Sequence, residues 1–186
     1  AMSEPQGYVA LVLHSHLPFV RHPEHDSFLE ERWFFEALTE TYLPLLERLQ
    51  RLANEKIPFR ITMSFTPTLL AMLADPLLQA RYVRHLDHLI ELSAKEIDRT
   101  RWQPLFHRLA LFYHHRFTTA RQLYVEVFRR NLIQPFKELA DRGLLEPIAS
   151  AATHGYLPLM HEYPVAVKAQ MTIGVQAFEH AFGRKP

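Results

Sequence analysis

Cysteine is absent from the 186 residues, which removes disulfides and thiolate metal sites and fits a reducing compartment. Glycine is scarce, 5 against 13 prolines, and no G-x-G-x-x-G or P-loop pattern occurs, so a dinucleotide- or phosphate-cradling loop is excluded. Charge of neither sign dominates: 21 Lys and Arg stand against 20 Asp and Glu, a net charge of +1. Nothing in that balance attracts nucleic acid or an anionic membrane, and neither is expected as a partner. No apolar run reaches the roughly 18 residues of a spanning helix. The N-terminus shows no basic segment followed by an apolar core, so no secretory signal is expected. The expected location is cytoplasmic.

What the chain does contain is a soluble domain's composition, 48% hydrophobic and 22% charged, at a length that buries one sizeable core. Three segments read as buried strands. Residues 8–13 (Tyr8-Val9-Ala10-Leu11-Val12-Leu13) lack polar alternation, as in a parallel strand covered on both faces. Residues 59–65 follow the turn-like Asn54–Pro58, and residues 146–153 have the weakest β-propensity, with Pro147 confined to the strand's start.

Amphipathic helices separate the strands. Residues 29–53 space Leu38, Tyr42, Leu45, Leu46, Leu49 and Leu52 near the helical period, with Pro44 expected to kink or divide them. A second helix, 76–99, opens on Asp75 as N-cap and Pro76 as first helical residue. A third, 118–142, starts at Thr118, is interrupted near Pro135 and stops before Gly143. The last covers 164–182 and stops at Gly183. The order β-α-β-α-α-α-β-α calls for a parallel α/β sheet with right-handed crossovers. About 80 residues separate strands two and three, an excursion long enough to wall a cleft.

The chemistry gathers at strand ends. His14 and His16 close strand one, and period-2 geometry puts both on one face, about 7 Å apart. Strand two ends in Ser64, Phe65 and Thr66; strand three ends in Thr153 and His154, followed by Gly155-Tyr156-Leu157-Pro158. Ligands in α/β folds sit beyond these carboxyl ends, so three imidazoles converge on one expected pocket. They can ligate zinc, donate hydrogen bonds to sugar hydroxyls, or serve as core imidazoles bonded to carbonyls. No carboxylate stands at a metal-site spacing; Glu24, Asp26, Glu30 and Glu31 are the nearest in sequence, and no H-E-x-x-H occurs. Trp33 either stacks on a sugar ring or joins the apolar face of Phe34, Phe35 and Leu38. His85, His88, His107 and His180 are expected on solvated helix faces.

Val12-Leu13-His14-Ser15-His16-Leu17-Pro18-Phe19 resembles the first motif of glycoside hydrolase family 57. Ala151-Ala152-Thr153-His154-Gly155-Tyr156-Leu157-Pro158 resembles its second. Glu30-Glu31-Arg32-Trp33 and Glu40-Thr41-Tyr42-Leu43-Pro44-Leu45 resemble the family's glucan-branching subgroup. The resemblance implies a (β/α)7 barrel of which residues 1–186 form the N-terminal portion, with parallel strands and the long helical insertion. It implies a retaining enzyme acting on α-1,4-glucans such as glycogen, amylose and maltooligosaccharides. Branching is the leading reaction, with hydrolysis or 4-α-glucan transfer as alternatives. It assigns His14, His16, His154 and Trp33 to substrate binding and requires no metal or other cofactor; Thr66 is expected to join them from its place at the end of strand two.

Retaining glycosidases use two carboxyl groups about 5–5.5 Å apart. By resemblance, the glutamate nucleophile lies on the strand after the last helix and the aspartate acid/base later still, so both are expected beyond Pro186. Neither role falls to Glu162 or any other carboxylate present. Three or four strands cannot close a barrel, so an open edge, an uncovered apolar face and self-association are expected. Readings from other classes are a metal-dependent carbohydrate hydrolase or deacetylase using the three histidines, and a non-catalytic glucan-binding module.

Overall fold

The computed structural model describes residues 7–186. Strands β1 (Val12–Ser15), β2 (Ile61–Phe65) and β3 (Leu145–Ala149) form one parallel sheet in the order β1-β2-β3. Parallel neighbours need long crossovers, and both are helical here. The first runs through α1 (Glu31–Ala37), a π-helical turn (Leu38–Tyr42) and α2 (Leu43–Asn54). The second runs through α3 (Pro67–Ala74), α4 (Pro76–Thr100), α5 (Pro104–Gln122), a second π turn (Leu123–Val127) and α6 (Ile133–Asp141). A 3-10 turn (Leu157–Met160) and α7 (Pro164–Phe182) follow β3. The chain forms two compact units.

Among the described residues, the first unit comprises those up to Pro18, Leu52–Leu70 and Phe136–Pro186. One face of its sheet is its core. Ile61, Met63 and Phe65 alternate inward along β2 and are buried. The Phe65 ring meets Phe136 of α6 and Phe182 of α7, each at 5.1 Å between centroids. Burying each such ring contributes about 1.5–3 kcal/mol. The opposite face carries Val12, His14 and Ile148, all exposed.

This corrects the expectation that the first apolar run is a strand covered on both faces. The strand is Val12–Ser15, and Tyr8 and Val9 are 90% and 98% exposed. Pairing begins where Thr62 N–H donates to the Leu11 carbonyl at 3.2 Å, with Val12 set against Thr62. β3 is also shorter than expected. Beyond Ala149 the backbone turns to α7, where Ala152 N–H donates to the Gln170 carbonyl at 3.0 Å and Thr153 N–H to Gln170 Oε1 at 3.0 Å. His154 therefore sits on a turn, with φ of 55°. Gly143 (φ 71°) and Gly183 (φ 69°) end α6 and α7 in the left-handed conformation, as the sequence indicates.

The second unit comprises Phe19–Arg51 and Ala71–Pro135. The expected division at Pro44 is seen: a widened π turn over Leu38–Tyr42 separates α1 from α2, whose second residue is Pro44. Proline cannot supply the N–H that an α-turn needs at that position, and Leu43 N–H donates to the Leu38 carbonyl, five residues back. Asp75 caps α4 as expected, its Oδ1 accepting from Leu78 N–H at 2.9 Å. The third helix starts at Pro104, not Thr118. Thr118 is interior to it and donates its hydroxyl to the His114 carbonyl. Leu105, Phe106, Leu109, Leu111 and Phe112 are all exposed along α5, so no clean stripe marks this helix in the sequence.

Tyr82 anchors the second unit's core. Its ring packs edge-on to Tyr124 at 4.7 Å, and its hydroxyl lies 2.8 Å from Thr39 Oγ1. Thr39 already donates to the Phe35 carbonyl at 2.9 Å, so Tyr82 is the donor in that pair. Burial raises the Tyr82 pKa well above its ordinary value and keeps the hydroxyl protonated for this bond. A buried ion pair joins Glu31 to Arg81, whose guanidinium also donates to the carbonyls of His22 and His25. It thereby fixes the loop that leads into α1. Among the described residues, no helix is long and apolar enough to cross a membrane.

Candidate functional site

Parallel register explains why the histidines meet. His14 pairs with Ser64 and Ser15 with Phe65, so the carboxyl ends of β1 and β2 are level. The turn after β3 brings His154 to the same edge. Ring centroids lie 4.7 Å apart for His14 and His154, 4.3 Å for His16 and His154, and 6.2 Å for His14 and His16. The last distance is close to the 7 Å expected along the strand. Thr66 is fully buried beneath this cluster's His16 and hydrogen-bonds it.

Each imidazole has its Nδ1 engaged by a hydroxyl. His14 Nδ1 lies 2.6 Å from Ser64 Oγ, His16 Nδ1 3.2 Å from Thr66 Oγ1, and His154 Nδ1 3.3 Å from Ser150 Oγ. For His16 the direction follows from proton counting, since a threonine hydroxyl has one proton to give. Thr68 donates its proton to the Leu17 carbonyl at 2.9 Å. In the 3.1 Å contact between Thr66 and Thr68, Thr66 is therefore the donor. With that proton committed, Thr66 accepts from His16 Nδ1–H. Neutral His16 is thus the Nδ1–H tautomer, and its Nε2 is a hydrogen-bond acceptor. Burial, together with the nearby His154 and His14 rings, holds the His16 pKa below the ordinary 6.5, which favours that neutral form.

α7 holds the His154 turn in place. Gln170 Nε2 donates to Thr153 Oγ1 at 2.8 Å, alongside the two bonds Gln170 accepts from Ala152 and Thr153. Gly174, one turn along, lets the Ser150 carbonyl approach the helix closer than 3.0 Å to where a Cβ would stand. Ser64 was visible in the sequence at the end of strand two. Thr68, Ser150, Gln170 and Gly174 were not, because each acts through a tertiary contact that no local spacing encodes.

Trp33 belongs to the second unit, on α1. It is 51% exposed while Phe34 and Phe35 are buried, so it is not a core residue. Of the helix histidines expected on solvated faces, His88 and His180 are exposed. His85 and His107 are half-buried: His85 lies against Phe35 at 5.2 Å, and His107 Nδ1 bonds the Ile97 carbonyl. Both rings rest partly against a neighbouring helix and are only partly exposed, which corrects that expectation. Among the described residues, no three His, Cys, Asp or Glu side chains are arranged as a metal site.

The profile of glycosyl hydrolase family 57 matches residues 10–186. The chain belongs to this family. This family 57 chain is 34% identical over 181 residues to the 1,4-alpha-glucan branching enzyme of Thermococcus kodakarensis, covering 97% of itself and 26% of that protein. Among solved structures, the alpha-amylase AmyC of Thermotoga maritima shares 44% identity and a TM-score of 0.88, over 95% of this chain and 33% of that one. The family 57 branching enzyme of Pyrococcus horikoshii shares 34% identity and a TM-score of 0.89, over 97% and 33%. The chain thus spans about a quarter of the curated relative and about a third of the solved chains. Its three parallel strands correspond to the N-terminal part of the family's (β/α)7 barrel, with the long helical insertion between strands two and three.

Proposed function

We propose that residues 1–186 form the N-terminal portion of one (β/α)7 catalytic domain of a retaining enzyme acting on α-1,4-glucans, and that His14, His16, His154, Thr66 and Trp33 bind the substrate. The observation that carries this reading is the convergence of three imidazoles at the carboxyl ends of parallel strands, each steadied at Nδ1 by a hydroxyl. Such a cluster is poised to exchange hydrogen bonds with the several hydroxyls of one sugar ring, and those bonds promote reaction where they strengthen in the transition state. His16 would accept from a sugar hydroxyl through Nε2. The glutamate nucleophile and aspartate acid/base come from polypeptide outside residues 1–186.

The reaction we favour is branching: cleavage of an α-1,4 bond through a covalent glycosyl-enzyme intermediate, then transfer to the 6-hydroxyl of another glucan. The relatives named branching enzymes, matched over nearly this whole chain, support it. Hydrolysis is the second reading, favoured by the 44% identity to an alpha-amylase. In the complete enzyme, branching lowers the iodine absorbance of amylose without releasing new reducing ends, whereas hydrolysis releases them stoichiometrically. For the chain itself, maltoheptaose is expected to shift the imidazole resonances of His14, His16 and His154. Unmoved imidazoles at saturating sugar would refute the binding assignment. Stoichiometric zinc retained by the purified chain, lost on replacing any of the three histidines, would favour metal ligation instead.

A further inference from the structure

The second unit contains a cleft of about 540 Å³ between α1 with its π turn on one side and α4 and α5 on the other. Its rim is polar. Arg32 and Glu36 stand one helical turn apart on α1, and His88 faces them from α4; all three are exposed. Their side chains have no hydrogen-bond or ion-pair partner among the described residues, although donors and acceptors lie on both walls. Leu89 and Leu92 of α4 and Phe117 of α5 add apolar surface to its lining. The π turn contributes Glu40, which Arg116 holds through two nitrogens at 2.9 and 3.3 Å.

Charge decides what such a cleft takes. Arg32 is offset by Glu36, and Glu40 by Arg116. Burial pushes the His85 pKa below its ordinary value, with Arg32 and His88 adding to the effect, so that imidazole is neutral near pH 7. A net charge close to zero gives no preference for an anion or a cation. A guanidinium donor, carboxylate acceptors and two imidazoles beside apolar lining residues suit a neutral ligand with several hydroxyls and one apolar face. The volume falls within the roughly 300–1,000 Å³ of small-molecule pockets, and the open rim lets a longer chain continue past it.

We propose that this cleft is a second, non-catalytic binding site for an α-glucan chain, contacted at the rim by Arg32, Glu36 and His88. The proposal rests on the α-glucan reading above but concerns residues of a different unit from the three strand-end histidines. Its role would be to hold a stretch of polymer apart from the reacting sugar.

The test is a maltoheptaose titration of the 186-residue chain followed through the histidine imidazole resonances. His85 and His88 are expected to shift together with His14, His16 and His154. Arg32→Ala/His88→Ala should weaken the response of His85 at least fivefold while leaving the three strand-end histidines unchanged. Because both substituted residues are exposed, the variant should keep the wild-type circular dichroism melt. Strand-end shifts with His85 and His88 unmoved would overturn the second site and leave the α-glucan reading standing. No shift at any of the five would overturn both. Inorganic phosphate moving His85 and His88 where maltoheptaose does not would overturn the neutral-ligand assignment.

Discussion

Replacing Thr68 with valine tests the proton chain beneath His16. Thr68 is half-buried and makes two hydrogen bonds, donating to the Leu17 carbonyl and accepting from Thr66. Valine keeps the shape and removes both. Net values of about 0.5–1.5 kcal/mol per neutral bond give a loss of about 1–3 kcal/mol. For a chain of this size, each kcal/mol moves Tm by about 2–4 °C, so Tm should fall by about 2–12 °C. The diagnostic effect is chemical. Freed of its acceptor, the Thr66 hydroxyl can donate to His16 Nδ1, and the Nε2–H tautomer gains population. Nitrogen-15 spectra of the imidazole should show His16 protonated on Nδ1 in the wild type, moving toward Nε2 in Thr68→Val and unchanged in Thr68→Ser, which keeps the hydroxyl. A wild-type His16 protonated on Nε2, or a Thr68→Val spectrum identical to it, would refute the assignment.

Gly174→Ala sets helix propensity against packing. Propensity alone stabilises by about 0.8–1 kcal/mol, but the new methyl meets the backbone carbonyl of Ser150, which no rotamer change can relieve. We expect Tm to fall, with the His154 resonance moved; a Tm at or above wild type would be the wrong sign for this contact. Arg81→Met leaves Glu31 buried without its cation and should cost about 3–5 kcal/mol in urea denaturation; a loss under 1 kcal/mol would show the pair is not buried as described. Acid should weaken the fold through His16, whose pKa is lowered on folding. The unfolded chain then binds more protons, so this contribution is whole above pH 6.5 and lost as pH falls through the folded value. The stability difference between pH 7.5 and 5.5 should shrink in His16→Gln, and an unchanged difference would count against it. The exposed Tyr8, Val9, Leu11 and Val12 should drive concentration-dependent self-association, visible by light scattering and reduced by Leu11→Lys/Val12→Lys; a monomer at all concentrations would contradict it.

The sequence is most legible where a single residue type forces a local outcome. Asp75 with Pro76 opens a helix, and Gly143 and Gly183 close two, because capping and left-handed geometry act within a few residues. The strand-end histidines are legible for the same reason, since the ends of parallel strands share an edge whatever their lengths. Strand extents are less legible, because where β1 begins to pair is set by a partner strand fifty residues away in the register. Pro44 signalled a disturbance but not its form, because a kink and a π turn relieve the same missing hydrogen bond. The first half of α5 is illegible in the sequence because its apolar residues face solvent and leave no periodic stripe. The proton chain below His16 requires Leu17, Thr66 and Thr68 to be seen together, and no pattern in one strand contains it.

The interleaving of the two units has a consequence for synthesis. The helical unit draws its last residue at Pro135, whereas the sheet unit is incomplete until the segment from Phe136 onward has emerged, although it owns the first strand. On a ribosome adding about 5–20 residues per second, the helical unit can close about 0.5–3 seconds before β3 (Leu145–Ala149) is available. During that interval β1 and β2 wait with the strand-end histidines formed only in part. His154 follows β3, so the cluster is completed only by the segment after Pro135. Slowing elongation after Pro135 would lengthen the exposure of an unpaired β2 edge, and a chaperone-dependent yield that responds to codon speed in that window is the outcome to look for.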